Sequence, residues 1–219
     1  MSRGGSPFRP AVAGALVAAF VAVLSPAAAE AAVLAKGSKG AKVAMLNARL
    51  AALTYLPTGA TSPRFTLQTH HAVVAFQKLN GLDPDGLVGP LTRRALANAG
   101  APAPRVDRRG RRIEVWRGRQ VAFLVAKGKV VRTVDVSTGK ARFRTPAGRF
   151  RVFRRERMSW SYKYEVWLPW AAYFNGGIAL HASADVPPRP ASRGCVRVPR
   201  PFAPEVYRFA GMRTAVVVL

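Results

Sequence analysis

Acidic residues are scarce in this sequence: 10 Asp and Glu stand against 35 Lys and Arg in 219 residues, a formal net charge of +25. Cysteine is scarcer, with one at position 195. A single thiol cannot close an internal disulfide, so no disulfide framework is open to this chain. Three His complete the short supply of titratable groups, and no cofactor motif is visible. Long apolar runs are missing too. The longest near the N-terminus covers residues 11–24, against roughly 20 residues for a membrane-spanning helix.

That short run has a pattern of its own. Arg3 and Arg9 precede it, Ser25-Pro26 breaks it, and Ala27-Ala28-Ala29 follows with small side chains. A basic start, a short apolar stretch and a small-residue site predict a secretory signal over residues 1–29, cut after Ala29. An uncleaved anchor is the alternative, and with no Cys nearby a lipoprotein is excluded. Export then places the protein in the periplasm or the extracytoplasmic cell wall, with no stable membrane span after cleavage. In an oxidising compartment a lone Cys is either an inert buried residue or a reactive one.

From Arg105 to the end, 25 Lys and Arg face 7 Asp and Glu. Such a charge attracts polyanions. An exported protein rarely meets nucleic acid, so none is expected as a partner. Peptidoglycan carboxylates, wall phosphate polymers and anionic headgroups are the polyanions at hand, and Arg-rich solvated faces are the plainer explanation.

Residues 34–99 read as helical. Val43, Leu46, Leu50 and Leu53 recur at helical spacing, with Ser38 as the expected N-cap. A second helix is predicted from Thr66 to Leu79, with Leu67, Val73, Phe76 and Leu79 on its buried side. Gly81 ends it, and Asp83-Pro84-Asp85-Gly86 forms a turn. Gly89-Pro90 opens a third helix through Leu96. His70 and His71 are neighbours about 100° apart on a helix and cannot chelate one ion together. With no Asp or Cys at ligand spacing, no metal site is expected, and both read as surface or partly packed residues.

Residues 100–112 are a Pro-bearing, then Arg-rich linker. Beyond it the period changes to two: Ile113 and Val115, then Val121, Phe123 and Val125, then Val134 and Val136, then Phe150 and Val152, with Val216-Val217-Val218 last. Residues 113–219 therefore form a mainly β domain, a sandwich or small barrel, with one short helix near residues 204–209.

The chemistry gathers at Cys195. Ile178-Ala179-Leu180-His181 and Val196-Arg197-Val198 are short strands joined by a loop bearing Pro187, Pro188 and Pro190. An antiparallel pairing of the two would bring His181 beside Cys195. A thiol is only slightly ionised at neutral pH, and a neighbouring imidazole can take its proton and return it to an amine. Gly194 permits a bend that aims backbone N–H groups at an oxyanion. Arg193 and Arg197 would favour the thiolate, and Arg197 would hold a substrate carboxylate. The aromatic residues Trp160, Tyr162, Tyr164, Trp167, Trp170, Tyr173 and Phe174 crowd the approach, and about half are expected in the core given their bulk.

Ser192-Arg193-Gly194-Cys195-Val196-Arg197, with His181 upstream after an apolar strand, resembles the signature of the L,D-transpeptidase catalytic domain. Val136-Ser137-Thr138-Gly139 and Thr145-Pro146-Ala147-Gly148 look like turn motifs of that family. Gly37-Ser38, Gly40, Val43, Leu46, Leu50, Ala72-Val73, Phe76-Gln77, Gly81-Leu82 and Asp85-Gly86-Leu87-Val88-Gly89, with Thr92 and Ala95-Leu96, resemble the small helical peptidoglycan-binding domain. The resemblance implies an α+β chain of two domains, a three-helix peptidoglycan-binding bundle followed by a mainly β catalytic domain. It implies Cys195 as nucleophile and His181 as general base and acid, with Gly194, Arg193 and Ser192 supporting the oxyanion. It also implies, without any cofactor, an acyl-enzyme at the L-centre of a diamino acid in a tetrapeptide stem, release of D-alanine, and cross-linking to a second stem. Part of the aromatic segment would be a flap over the substrate groove. Arg193 stands where the family usually has His, and a guanidinium cannot act as a base. Hydrolysis of the same acyl-enzyme, an L,D-carboxypeptidase activity, and a catalytically weakened wall-binding protein are the alternatives. The sequence leaves oligomeric state open.

Overall fold

The computed structural model describes residues 1, 2, 4, 5 and 33–219. The expected signal segment and its cleavage site lie outside the described residues. Residues 33–219 belong to one compact unit.

Three helices open this unit: α1 (Ala41–Ala52), α2 (Leu67–Asn80) and α3 (Pro90–Asn98). Val43, Leu46 and Leu50 of α1 are buried, as the spacing predicts. Ser38 is not its N-cap. Lys39 is held in a bridge to Arg64, so the helix starts later with Gly40 as cap, and Ser38 Oγ instead accepts from the Ala35 N–H at 3.0 Å. Thr66 caps α2 in a reciprocal box with Thr69, and Gly81 ends it in the left-handed region at φ 69°. Leu67, expected to be buried, is exposed because it sits in the first turn of α2, outside the packed face. Phe76 is buried edge-on against Tyr55 at 5.5 Å, a burial worth roughly 1.5–3 kcal/mol.

From His71 to Lys78 every residue of α2 is buried, polar ones included. A helix this enclosed is covered on more than one side. Here α1 covers one side and the β domain another.

The β domain has nine strands: β1 (Arg112–Trp116), β2 (Val121–Ala126), β3 (Lys129–Asp135), β4 (Gly148–Arg151), β5 (Arg154–Ser161), β6 (Val166–Asn175), β7 (Ile178–Ser183), β8 (Val196–Pro199) and β9 (Ala215–Val218). One sheet has the order β3-β2-β1-β9-β4 and the other β5-β6-β7-β8. Helix α4 (Ala203–Phe209) packs on β6, β7 and β8 through the buried Ala203 and Val206. The chain is thus α+β, a helical bundle followed by a mainly β domain.

Two features bind these parts together. Residues 105–112 are fastened to β1: the Arg105 N–H donates to the buried Glu114 at 2.6 Å, and the Arg112 guanidinium pairs with the same carboxylate at 2.7 Å. The outer edge of β3 is covered by the helical bundle, with the Thr133 N–H donating to the Thr54 carbonyl at 2.8 Å. Arg132 reaches the Leu56 carbonyl on one side and Glu205 of α4 on the other. Covering an edge strand at this point satisfies the Thr133 amide.

Candidate active site

Strands β7 and β8 run parallel, not antiparallel, with Leu180 opposite Val196 and His181 opposite Arg197. A parallel pair needs a crossover of about a dozen residues, and the Pro-bearing segment 184–195 supplies it. Its course is set from the segment that follows β3: the Thr138 carbonyl accepts from the N–H groups of Ala191 at 2.9 Å and Ser192 at 3.0 Å. In this register Cys195 lies one residue before the ladder, level with Ala179, so side chains 179, 181, 195 and 197 share one face. Leu180 and Val198 point the other way, beneath α4.

That face borders a cleft of about 370 Å³, lined among others by Lys140, Tyr164, Leu168, His181, Arg193, Cys195 and Arg197. His181 is buried and its Nδ1–H donates to the Ala182 carbonyl at 2.9 Å. That bond fixes the tautomer and leaves Nε2 with its lone pair. Burial lowers the imidazole to about 4, the Ala182 bond opposing and Arg197 adding to the fall. The half-buried Cys195 thiol faces the Gly177 carbonyl, Sγ to O 3.8 Å. Burial raises its pKa, against the pull of the Ala179 backbone and Arg197. At Cys195 burial thus outweighs the pull of Arg197 and favours the thiol over the thiolate.

Arg197 is engaged with Asp185, Nη1 to Oδ2 2.6 Å. Arg193 lies over the Tyr164 ring at 4.9 Å. Gly194 has φ 118°, a conformation reserved for glycine. Its N–H donates to Ser192 Oγ at 3.1 Å, so this donor is committed to the turn and is not free for an oxyanion. Ser192 in turn donates to the Cys195 carbonyl.

The turn motifs have a task that their spacing did not disclose. Thr145 Oγ1 donates to the Gly194 carbonyl at 2.7 Å and accepts from the Gly139 N–H at 3.0 Å. A Cβ on Gly139 would lie 1.9 Å from the Phe143 carbonyl, which is why that position admits no side chain. Among the aromatics, Tyr173 and Phe174 are buried, Tyr164 lines the cleft, and Trp160 and Trp167 meet at 5.1 Å on the exposed part of the β5–β6 hairpin. The hairpin forms one wall of the cleft through Ser161, Val166 and Leu168.

His70 and His71 do have an acidic companion, distant in sequence: His71 Nδ1 lies 2.7 Å from Asp135 Oδ2, and His71 is buried, not on the surface. Among the described residues no group of three or more His, Cys, Asp or Glu is placed to hold a metal.

The fold and the cleft have known counterparts. The family model of the L,D-transpeptidase catalytic domain matches residues 110–218, and that of the peptidoglycan binding domain matches residues 39–96. The crystal structure of an L,D-transpeptidase (residues 123–326) from Xylanimonas cellulosilytica DSM 15894 is 33% identical with a TM-score of 0.77, over 85% of this chain and 97% of that one. The chain belongs to the L,D-transpeptidase family. A second L,D-transpeptidase structure, from Stackebrandtia nassauensis, is 27% identical with a TM-score of 0.52, over 85% of this chain and 94% of that one. A probable N-acetylmuramoyl-L-alanine amidase of Bacillus licheniformis is 40% identical over 72 residues, 32% of this chain. The chain spans about a fifth of the length of the two amidases it matches in that organism, 20% and 22%. Within the L,D-transpeptidase domain, Cys195, His181 and the 136–148 braces all fall inside the matched segment.

Proposed function

We propose that the protein is an exported cell-wall enzyme that cross-links peptidoglycan stem peptides through a Cys195 acyl-enzyme, with residues 34–99 binding the wall polymer, 100–112 linking and 113–219 catalysing. The observation that carries the reading is the shared face of β7 and β8, on which an imidazole with a free Nε2 and a half-buried thiol border the same cleft.

His181 Nε2 takes the thiol proton as Sγ attacks the carbonyl at the L-centre of the third stem residue. Because both groups rest neutral, the ion pair forms only as attack proceeds, which couples deprotonation to carbonyl addition. Collapse of the tetrahedral intermediate breaks the amide bond, and the imidazolium returns its proton to the departing D-alanine amine. The thioester remains. An amine of a second stem then attacks it, gives its proton to His181 and releases the Cys195 thiol. Ser192 and Gly194 shape the turn that carries the sulfur, Arg193 supplies a fixed cation at the cleft, and Arg197 holds its carboxylate partner Asp185 unless a substrate carboxylate displaces it.

The test is covalent capture. A carbapenem should add its acyl group to Cys195, seen as a mass increase on the peptide containing residue 195. Cys195→Ser should show no adduct and His181→Ala a strongly slowed one. With purified tetrapeptide stems, cross-linked dimer is the expected product. Free tripeptide alone would make the protein a carboxypeptidase, and no adduct at any pH would make it a binder.

A further inference from the structure

We infer that the helical domain is a working part of the catalytic site: Lys78 of α2 and Asp135 at the end of β3 are positioning residues for the turn that carries Cys195. The inference rests on the reading of Cys195 as nucleophile.

Lys78 and Asp135 have side-chain exposures of 3% and 0%. An ammonium and a carboxylate so enclosed are stable only when paired and fully hydrogen-bonded. Lys78 meets that requirement. Its three N–H groups find the Asp135 carboxylate, the Gln120 carbonyl at 3.2 Å and the Val136 carbonyl at 3.1 Å. His71, two turns earlier on the same face of α2, takes the second carboxylate oxygen at 2.7 Å. One helix of the wall-binding domain thereby grips the residue at which β3 ends and the residue just before β2.

Both grips lead directly to the catalytic turn. Gln120 uses its side chain on Thr138, accepting from the Thr138 N–H at 2.8 Å and donating to its Oγ1 at 2.9 Å. The Thr138 carbonyl holds the N–H groups of Ala191 and Ser192, and the Ser192 hydroxyl closes the turn on Gly194 and Cys195. From the Lys78 ammonium to the nucleophile's own carbonyl, each step is a hydrogen bond or a few peptide bonds. Apolar packing would have joined the two domains without a desolvation cost. A charged pair adds direction, and the direction here ends at residue 195.

The test uses the full chain. Lys78→Met with Asp135→Asn removes both charges together, and Gln120→Leu cuts the relay without touching the domain contact. Exposed Arg94 of α3 supplies the control, Arg94→Met. Imipenem adduct formation on Cys195, followed by mass over a concentration series, separates the rate at saturation from the half-saturating concentration. Amide exchange over residues 190–196 and a thermal melt are read on the same samples. The expected result is a saturating rate at least tenfold lower in the double variant and in Gln120→Leu, half-saturation within twofold of the parent, faster exchange over 190–196, and no change in Arg94→Met. Folded variants that acylate within twofold of the parent overturn the inference. Should the double variant not fold, Gln120→Leu decides alone. Should the parent itself form no adduct, the reading of Cys195 fails, and unchanged exchange over 190–196 in Gln120→Leu would separately refute the coupling.

Discussion

The hydroxyl of Thr145 donates to the carbonyl of Gly194 at 2.7 Å, tying a turn that precedes β4 to the residue before Cys195. Both groups are buried, so the bond has no water to replace it. Thr145→Val keeps the shape and removes the donor. It is expected to lower stability by about 1–3 kcal/mol for each buried group left unsatisfied, the Gly194 carbonyl and the Gly139 N–H, and to slow carbapenem acylation of Cys195. Denaturant melts and adduct kinetics check the two effects. An unchanged acylation rate would show that the brace serves the fold alone.

Gly194→Ala tests backbone conformation without steric conflict. A Cβ there would meet nothing nearer than 3.6 Å, whereas the φ of 118° is the obstacle. The strain is of the order of 1–3 kcal/mol. The turn is expected to relax away from this angle, so adduct formation should fall much further than the melting temperature.

Burial places the His181 imidazole at about 4, below its usual 6.5. The base therefore stays unprotonated well below neutrality, and the acid limb of carbapenem acylation in the free enzyme should fall near pH 4. The same shift is a stability term. The unfolded chain binds a proton at 6.5 that the folded one refuses until about 4, so its contribution is complete above 6.5 and is lost as pH falls toward 4. The loss is on the order of 3 kcal/mol at roughly 1.4 kcal/mol per unit. Melting curves from pH 7 to 4 should show a decline that His181→Gln reduces. An acid limb near 6.5 would refute the assignment of a buried, neutral base.

Arg193 sits at the cleft on the face of Tyr164, and a guanidinium has no acceptor with which to act as a base. Arg193→Ala is expected to raise the half-saturating stem-peptide concentration several-fold, a loss of about 1 kcal/mol of charge and ring contact, while the saturating rate changes little. Steady-state kinetics on stem peptides separate the two. A collapse of the saturating rate with unchanged half-saturation would assign the guanidinium to the transition state.

The helices and most strands were legible because their signals are local: apolar spacing in α1, the Thr66 cap and Gly81 stop of α2, alternation in β1 and β2. So was the neighbourhood of Cys195, since Gly194, the Pro-bearing loop and an apolar strand ending in His181 lie within a few residues of one another. The parallel course of β7 and β8 was not. It depends on where segment 184–195 travels, and Thr138, more than fifty positions earlier in the chain than the amides it holds, fixes that. His71 read as a surface or partly packed residue, and nothing local singled out Lys78, because their partner, Asp135, lies 64 and 57 positions away. The commitment of the Gly194 N–H to Ser192 was equally hidden, since a Ser two residues before a Gly forms such a bond in some turns and not in others.

The covered margin of β3 sets a limit on how this protein can be divided. A polypeptide severed within residues 100–112 would carry the margin strand Lys129–Asp135 with its Thr133 amide unpaired and the Asp135 carboxylate deprived of Lys78. Such strands recruit copies of themselves. Preparations of the β domain alone should self-associate more than preparations of the intact chain.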